Sequence, residues 1–232
     1  MFLDVDGTLV PASLERWFLE YLWRTGSLRV GDLARRVGAA WVRRWPPRWY
    51  TWKLAYLRGC RVEAVEAWAE ACWESRVRPR LADGMVAAVR WLRTVGMEVV
   101  LLSGAPRPLV RPLMTYLGIG DGLWAEPEVV DGVYTGGLIR PHPRGRRKVI
   151  QAEVWLRTRG RTWADTVAFA DHWSDRFLLR RVAVPVVVRP DWRLALYARW
   201  RGWPVLWDVR DPARVLAVLQ GAVGPSARSL RP

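Results

Sequence analysis

Three short apolar runs in this sequence each end on an acidic or small polar residue, and no other feature restricts the fold as much. Residues 1–5 lead into Asp4 and Asp6, residues 98–102 into Ser103, and residues 166–170 into Asp171 and Asp175. Unbroken apolar runs of about five residues suit strands buried on both faces, as in a parallel sheet. Helical patterns separate the runs. Strands alternating with helices imply an α/β fold, a Rossmann-like parallel sheet flanked by helices, in which ligands gather at the carboxyl ends of the strands. The polar ends of the three runs are therefore expected on one edge.

The segments between them divide the chain. Residues 13–78 offer no convincing strand, and Leu14, Trp17, Phe18, Tyr21 and Leu22 recur at helical spacing. Trp45-Pro46-Pro47-Arg48 must interrupt any helix there, because two prolines remove backbone donors and force an extended approach. Helical periodicity resumes over 62–77, with Val65, Trp68, Ala69 and Cys72 on one side. Residues 85–95 read as an amphipathic helix closed by Gly96, 128–140 as a hairpin with turn signals at Asp131-Gly132 and Gly136-Gly137, and 147–159 as a helix. A helix from Asp175 to Arg181 and a strand over 184–188 follow. The expected organisation is a core of 1–12 and 81–225, a helical cap of 13–80 inserted after the first strand, and a flexible tail of 226–232.

Composition narrows the partners. The formal charge is +15, yet the 37 basic residues comprise 35 Arg and 2 Lys spread along the chain without one dense tract. No nucleic-acid-binding motif accompanies them, so nucleic acid is not an expected partner. Cys60 and Cys72 belong to no metal-binding spacing and read as buried thiols. No leader pattern precedes the first run, and the longest uncharged apolar run, 182–188, contains Pro185 and falls short of the roughly 20 residues of a membrane span. A cytoplasmic location is the expectation.

Carboxylates converging on one edge repel one another and need a cation, for which Mg2+ suits an all-oxygen set sharing a phosphate. Lys148 is a rare choice in a chain that uses Arg 35 times. A compact ammonium fits a phosphate held by metal and backbone donors better than a planar guanidinium does. An ordinary solvated lysine is the competing reading.

These residues resemble a known family. Asp4-Val5-Asp6-Gly7-Thr8-Leu9-Val10 is similar to the first signature of haloacid dehalogenase phosphatases. Leu101-Leu102-Ser103-Gly104 resembles their second motif, Lys148 their third, and the stretch from Ala170 to Asp175 their fourth. The resemblance spans roughly residues 1–210 and lies nearest the phosphoserine phosphatase-like hydrolases, subfamily IB, which carry a helical cap between the first two motifs. It implies a Mg2+-dependent phosphomonoester hydrolase acting on a small phosphorylated metabolite. Asp4 would be the nucleophile forming an aspartyl-phosphate, and Asp6 the acid that protonates the leaving oxygen and then activates water. The metal would be held by Asp4, the backbone carbonyl of Asp6 and Asp171, with Asp175 supporting the cluster; Thr8, Ser103, Gly104 and Lys148 would bind phosphate. To aim Asp4 and Asp6 at one substrate, the chain is expected to leave strand geometry after Asp4, a bend that Gly7 permits.

Two departures bear on substrate. Ser13 stands where the family's phosphoserine enzymes carry an acid for the substrate ammonium, while nearby Glu15 reads as a first-turn helix acid. His172 and Trp173 replace smaller residues and are expected to shape the rim of the site. The alternative substrate class is a phosphorylated lipid head group: Trp41, Arg43, Arg44, Trp45, Arg48, Trp49 and Trp52 suit either a packed cap or peripheral contact with an anionic membrane.

Overall fold

A computed structural model describes residues 1–28 and 54–223. The Pro46-Pro47 break, the Trp/Arg stretch over 41–52 and the tail over 226–232 lie outside these described residues.

Strand β1 (Phe2–Leu3) runs between β2 (Val100–Pro106) and β6 (Val167–Ala170), parallel to both. The sheet continues through β3 (Asp121–Ala125) beyond β2, and through β7 (Val184–Val188) and β8 (Val205–Leu206) beyond β6, giving the order β3-β2-β1-β6-β7-β8 with every pairing parallel. The expected α/β architecture is thus present. Alternation along the strands sorts side chains to two faces. Leu3, Leu101, Phe169 and Val186 face one cluster, Phe2, Val100, Leu102 and Ala168 the other, and all eight are almost wholly buried. Burial of each large apolar side chain contributes about 1.5–3 kcal/mol.

On the first face lie α1 (Leu14–Arg24), α2 (Val62–Cys72), α3 (Asp83–Thr94), α4 (Arg107–Leu117) and α8 (Pro212–Val223). The second carries α5 (Arg146–Thr158), α6 (Arg176–Leu179) and α7 (Trp192–Arg201). Leu14, Phe18 and Leu22 of α1 and Val65, Ala69 and Cys72 of α2 enter the same continuous core as α3 and α4. Cys60 and Cys72 are free, buried thiols, and burial pushes Cys72 up to about 11.

Several local readings change. Over 62–77 the chain is α-helical to Cys72 and then makes a π-helical turn, Trp73–Val77. The buried positions Val65, Ala69 and Cys72 are followed by Trp73 and Val77, a one-residue slip of the apolar stripe that a widened turn absorbs. The hairpin forms as β4 (Pro127–Val130) and β5 (Val133–Leu138), turning at Asp131-Gly132 with φ of 51° and 73°, as a type I′ turn requires. Gly136-Gly137 is not a second turn. It lies inside β5, where Gly136 (φ 83°) lets the backbone pass close to Leu54, Ala55 and Arg58. The sequence reading assigned nothing to α4 and β3, since Pro108 and Pro112 disguise the helix; the structure accommodates them in its first two turns. Among the described residues no helix is long and apolar enough to cross a membrane.

Helices α3 and α8 meet at Gly84, whose N–H donates to the Val209 carbonyl at 3.0 Å. A Cβ there would stand 2.6 Å from that carbonyl oxygen and 3.0 Å from that of Asp211, both backbone atoms. Gly84→Ala is therefore expected to destabilise the fold by about 1–3 kcal/mol, lowering the urea midpoint. Gly120→Ala, with nothing within 4 Å of the added carbon, serves as the neutral control.

Candidate active site

The site begins where β1 stops being a strand. The Asp4 N–H makes a ladder bond to the Phe169 carbonyl at 3.1 Å; the Val5 carbonyl then accepts the N–H groups of Thr8, Leu9 and Val10 at 3.2, 3.0 and 3.1 Å. This tight turn runs through Gly7 at φ 81°, a region side chains other than glycine avoid. A Cβ on Gly7 would also overlap the Asp171 carboxylate. The chain curls here as expected, and Asp4 and Asp6 both line one cleft. Asp6 is oriented by the first residue of α1, whose backbone N–H donates to its Oδ1 at 2.9 Å.

Lys148, brought in by α5, lies beneath the cleft floor with about 4% of its surface exposed. Its ammonium donates to Asp4 Oδ1 at 2.5 Å and to Asp175 Oδ2 at 2.9 Å. The ordinary solvated lysine is excluded. Burial alone would lower its pKa, but Asp175 and Asp4 outweigh that and keep it protonated. Asp4, Asp171 and Asp175 each present a carboxylate oxygen within 4.8 Å of one another. Burial raises Asp4 well above the usual carboxylate range, with Lys148 opposing and the other two acids reinforcing. Burial and then Asp175 push Asp171 to about 7. Three carboxylates against one ammonium leave two negative charges over, the charge of one divalent cation. An all-oxygen donor set at the mouth of a cleft fits Mg2+.

The remaining expected residues divide. Gly104 lines the cleft; Ser103 lies behind it, completely buried, with its Oγ accepting the Ala105 N–H at 3.0 Å. Thr8 does not line the cleft. Its side chain is completely buried under the turn, and its hydroxyl has no partner among the described residues. Ser13 and Glu15 both face the cleft, so Glu15 is more than a first-turn helix acid. Burial, followed by the charge of Glu15, holds the Tyr56 phenol well above its usual pKa. His172 is on the rim, its Nδ1 accepting the Ser174 N–H at 3.1 Å.

Sequence reasoning missed four residues. His142 and Arg144, from the loop before α5, complete the wall of a cleft of about 440 Å³, with the His142 ring packed against Gly104. A signal was available, since the chain has two histidines and both line this cleft. Asp191 fixes the Asp171 loop: its carboxylate accepts the Trp173 N–H at 2.6 Å, and its N–H donates to the Asp171 carbonyl at 3.0 Å. Burial would raise its pKa, but backbone N–H groups of Leu194 and Trp173 hold it low. Arg189, at the end of β7, reaches across to the first turn. One guanidinium nitrogen donates to the carbonyls of Gly7, Thr8 and Val10 at 2.8, 3.2 and 3.4 Å. Arg189→Met keeps the bulk and removes the donors. We expect a loss of about 1–2 kcal/mol of stability, read from urea unfolding, because charged hydrogen bonds to carbonyls at a half-buried site are lost.

Residues 1–180 match the family model of haloacid dehalogenase-like hydrolases. A Mycobacterium tuberculosis protein named as a phosphoserine phosphatase is 27% identical over 182 residues, 76% of this chain and 59% of its own. A Neisseria meningitidis histidinol-phosphatase is 33% identical over 132 residues, 55% of this chain and 60% of its own. The chain thus spans about three fifths of the length of these curated relatives. A Bordetella pertussis protein of unknown function superposes with a TM-score of 0.78 at 25% identity, covering 89% of this chain and 96% of that one. With its four motifs gathered at one sheet edge and the family model matching most of its length, the chain belongs to the haloacid dehalogenase-like hydrolases.

Proposed function

We propose that this chain is a Mg2+-dependent phosphatase that hydrolyses a small phosphorylated metabolite through an aspartyl-phosphate on Asp4. The observation that carries this reading is the buried Lys148 held between Asp4 and Asp175 beside Asp171. An ammonium in that position orients the Asp4 carboxylate and presents positive charge where phosphoryl oxygens arrive. The names of the two relatives agree with phosphomonoesters as the substrate class. Residues 1–12 and 81–225 would form the catalytic core, and 13–80 the cap that selects the leaving group.

In the first step an Asp4 carboxylate oxygen attacks phosphorus, the bond to the leaving oxygen breaks, and Asp6 gives that oxygen its proton. In the second, Asp6 takes a proton from water; the resulting hydroxide attacks phosphorus, releasing phosphate and the Asp4 carboxylate. The bond from the Leu14 N–H keeps Asp6 aimed at the cleft through both steps. Lys148 and the Gly104 N–H bind phosphoryl oxygens. Ser103, completely buried behind Gly104, holds that loop by accepting the Ala105 N–H. Thr8 supports the turn from below, since its buried hydroxyl is not on the cleft wall. Asp4, Asp171 and the Asp6 carbonyl, with Asp175 alongside, would hold Mg2+, which when bound neutralises charge on the phosphoryl group.

Two outcomes test this. Asp4→Asn is expected to lower kcat on an aryl phosphate by on the order of a thousandfold, as loss of a nucleophile does, and full residual activity would overturn the mechanism. Chelation should abolish turnover and added Mg2+ restore it, whereas activity indifferent to both would remove the metal from the reading. A screen across phosphorylated metabolites and phospholipid head groups identifies the leaving group.

A further inference from the structure

Helix α7 turns an apolar stripe outward. Leu194 and Ala198 pack completely buried on the sheet, and Tyr197 stacks edge-on against Trp173 and Trp203 with ring centroids 5.6 and 5.3 Å away. Trp192, Leu196 and Trp200, spaced at i, i+4 and i+8 on the opposite side, are 68%, 63% and 74% exposed. Three large apolar side chains in one row on a helix whose other face is fully packed form a patch with no role in the core. The only charges on the helix are Arg193, Arg199 and Arg201, none of which makes an ion pair with a described residue. Two of them lie over the stripe's own rings, Arg193 at 5.1 Å from Trp192 and Arg201 at 5.8 Å from Trp200.

We propose that this stripe is a contact surface for an anionic lipid bilayer. The occupant must accept tryptophan and leucine while supplying negative charge to three guanidinium groups that no described acid pairs. A bilayer interface does both: indole rings settle at head-group depth, leucine enters the acyl boundary, and arginines meet lipid phosphates while their stems follow the apolar surface. A second copy of this chain is disfavoured by charge, because pairing two such helices sets arginines against arginines with no acid on either. Nucleic acid would match the arginines but leave Leu196 unrewarded. The helix starts three residues beyond Arg189, and its cap Asp191 is bonded to the Asp171 loop, so the N-terminal end of the stripe lies near the cleft. The proposal is independent of the proposed chemistry.

The test is flotation of the full chain with vesicles of phosphatidylcholine alone or mixed with phosphatidylglycerol. The chain is expected to float only with the anionic vesicles and to release as salt rises. The triple variant Trp192→Ser, Leu196→Ser, Trp200→Ser should float about tenfold less, with an unchanged unfolding midpoint because all three side chains are exposed. Arg193→Gln, Arg199→Gln, Arg201→Gln should lose the preference for anionic lipid, and decides the matter by itself if the first variant fails to fold. The proposal is overturned if the parent ignores anionic vesicles or floats equally with neutral ones. It is also overturned if the serine variant floats like the parent, if light scattering shows a dimer that this variant dissolves, or if single-stranded nucleic acid binds through the stripe where vesicles do not.

Discussion

The ion pairs from Lys148 to Asp4 and Asp175 are the interaction on which the rest depends. A parallel sheet delivers the ends of its strands to one edge whatever they carry, and here it delivers carboxylates from β1 and from the loop after β6. Buried together without a counter-charge they would force the strands apart or take up protons. One lysine from α5 holds two of them, which requires the helix to pack on the sheet so that its first turn points into the edge. The fold and its acidic edge are thus one electrostatic solution: the ammonium makes the gathered carboxylates tolerable and leaves two negative charges, the charge a divalent cation would balance.

Backbone geometry does the complementary work. Burial gathers the strands but cannot aim Asp6, which regular pleating would leave on the same face as Asp4 but about 7 Å further along the strand. The curl through Gly7, the Val5 carbonyl serving three N–H groups, and the Arg189 clamp on the carbonyls of Gly7, Thr8 and Val10 replace strand geometry with a fixed turn. Rigidity here comes from hydrogen bonds between elements far apart in sequence, not from the turn alone.

How much of this the sequence disclosed depends on the physics of each part. The central strands were legible because burial on both faces leaves unbroken apolar runs, and the gathering of Asp4, Asp171 and Asp175 followed from where those runs end. Lys148 stood out because the chain otherwise spends its positive charge on arginine, and the same rarity argument would have found His142. Arg189 could not be found that way, being one arginine among many, and its role exists only through a contact with carbonyls about 180 positions away. Helix α4 was hidden by prolines that fall where a helix tolerates them, and Gly136-Gly137 mimicked a turn because close passage of a backbone and a chain reversal both call for glycine. Thr8 belongs to the motif in sequence yet sits beneath the cleft in space, a distinction that spacing does not encode.

The position of β1 carries a last consequence. It is a two-residue strand whose neighbours, β2 and β6, lie about 100 and 165 residues later, and the turn that follows it is tied down from β7. A ribosome therefore releases Asp4 and Asp6 long before anything can hold them in register, and the contacts that orient them are among the most non-local in the chain. Order of synthesis and order of assembly run in opposite directions: a nascent chain carries these two acids loose and solvated, and they acquire their lysine, their companions and their clamp only when nearly the whole domain has emerged.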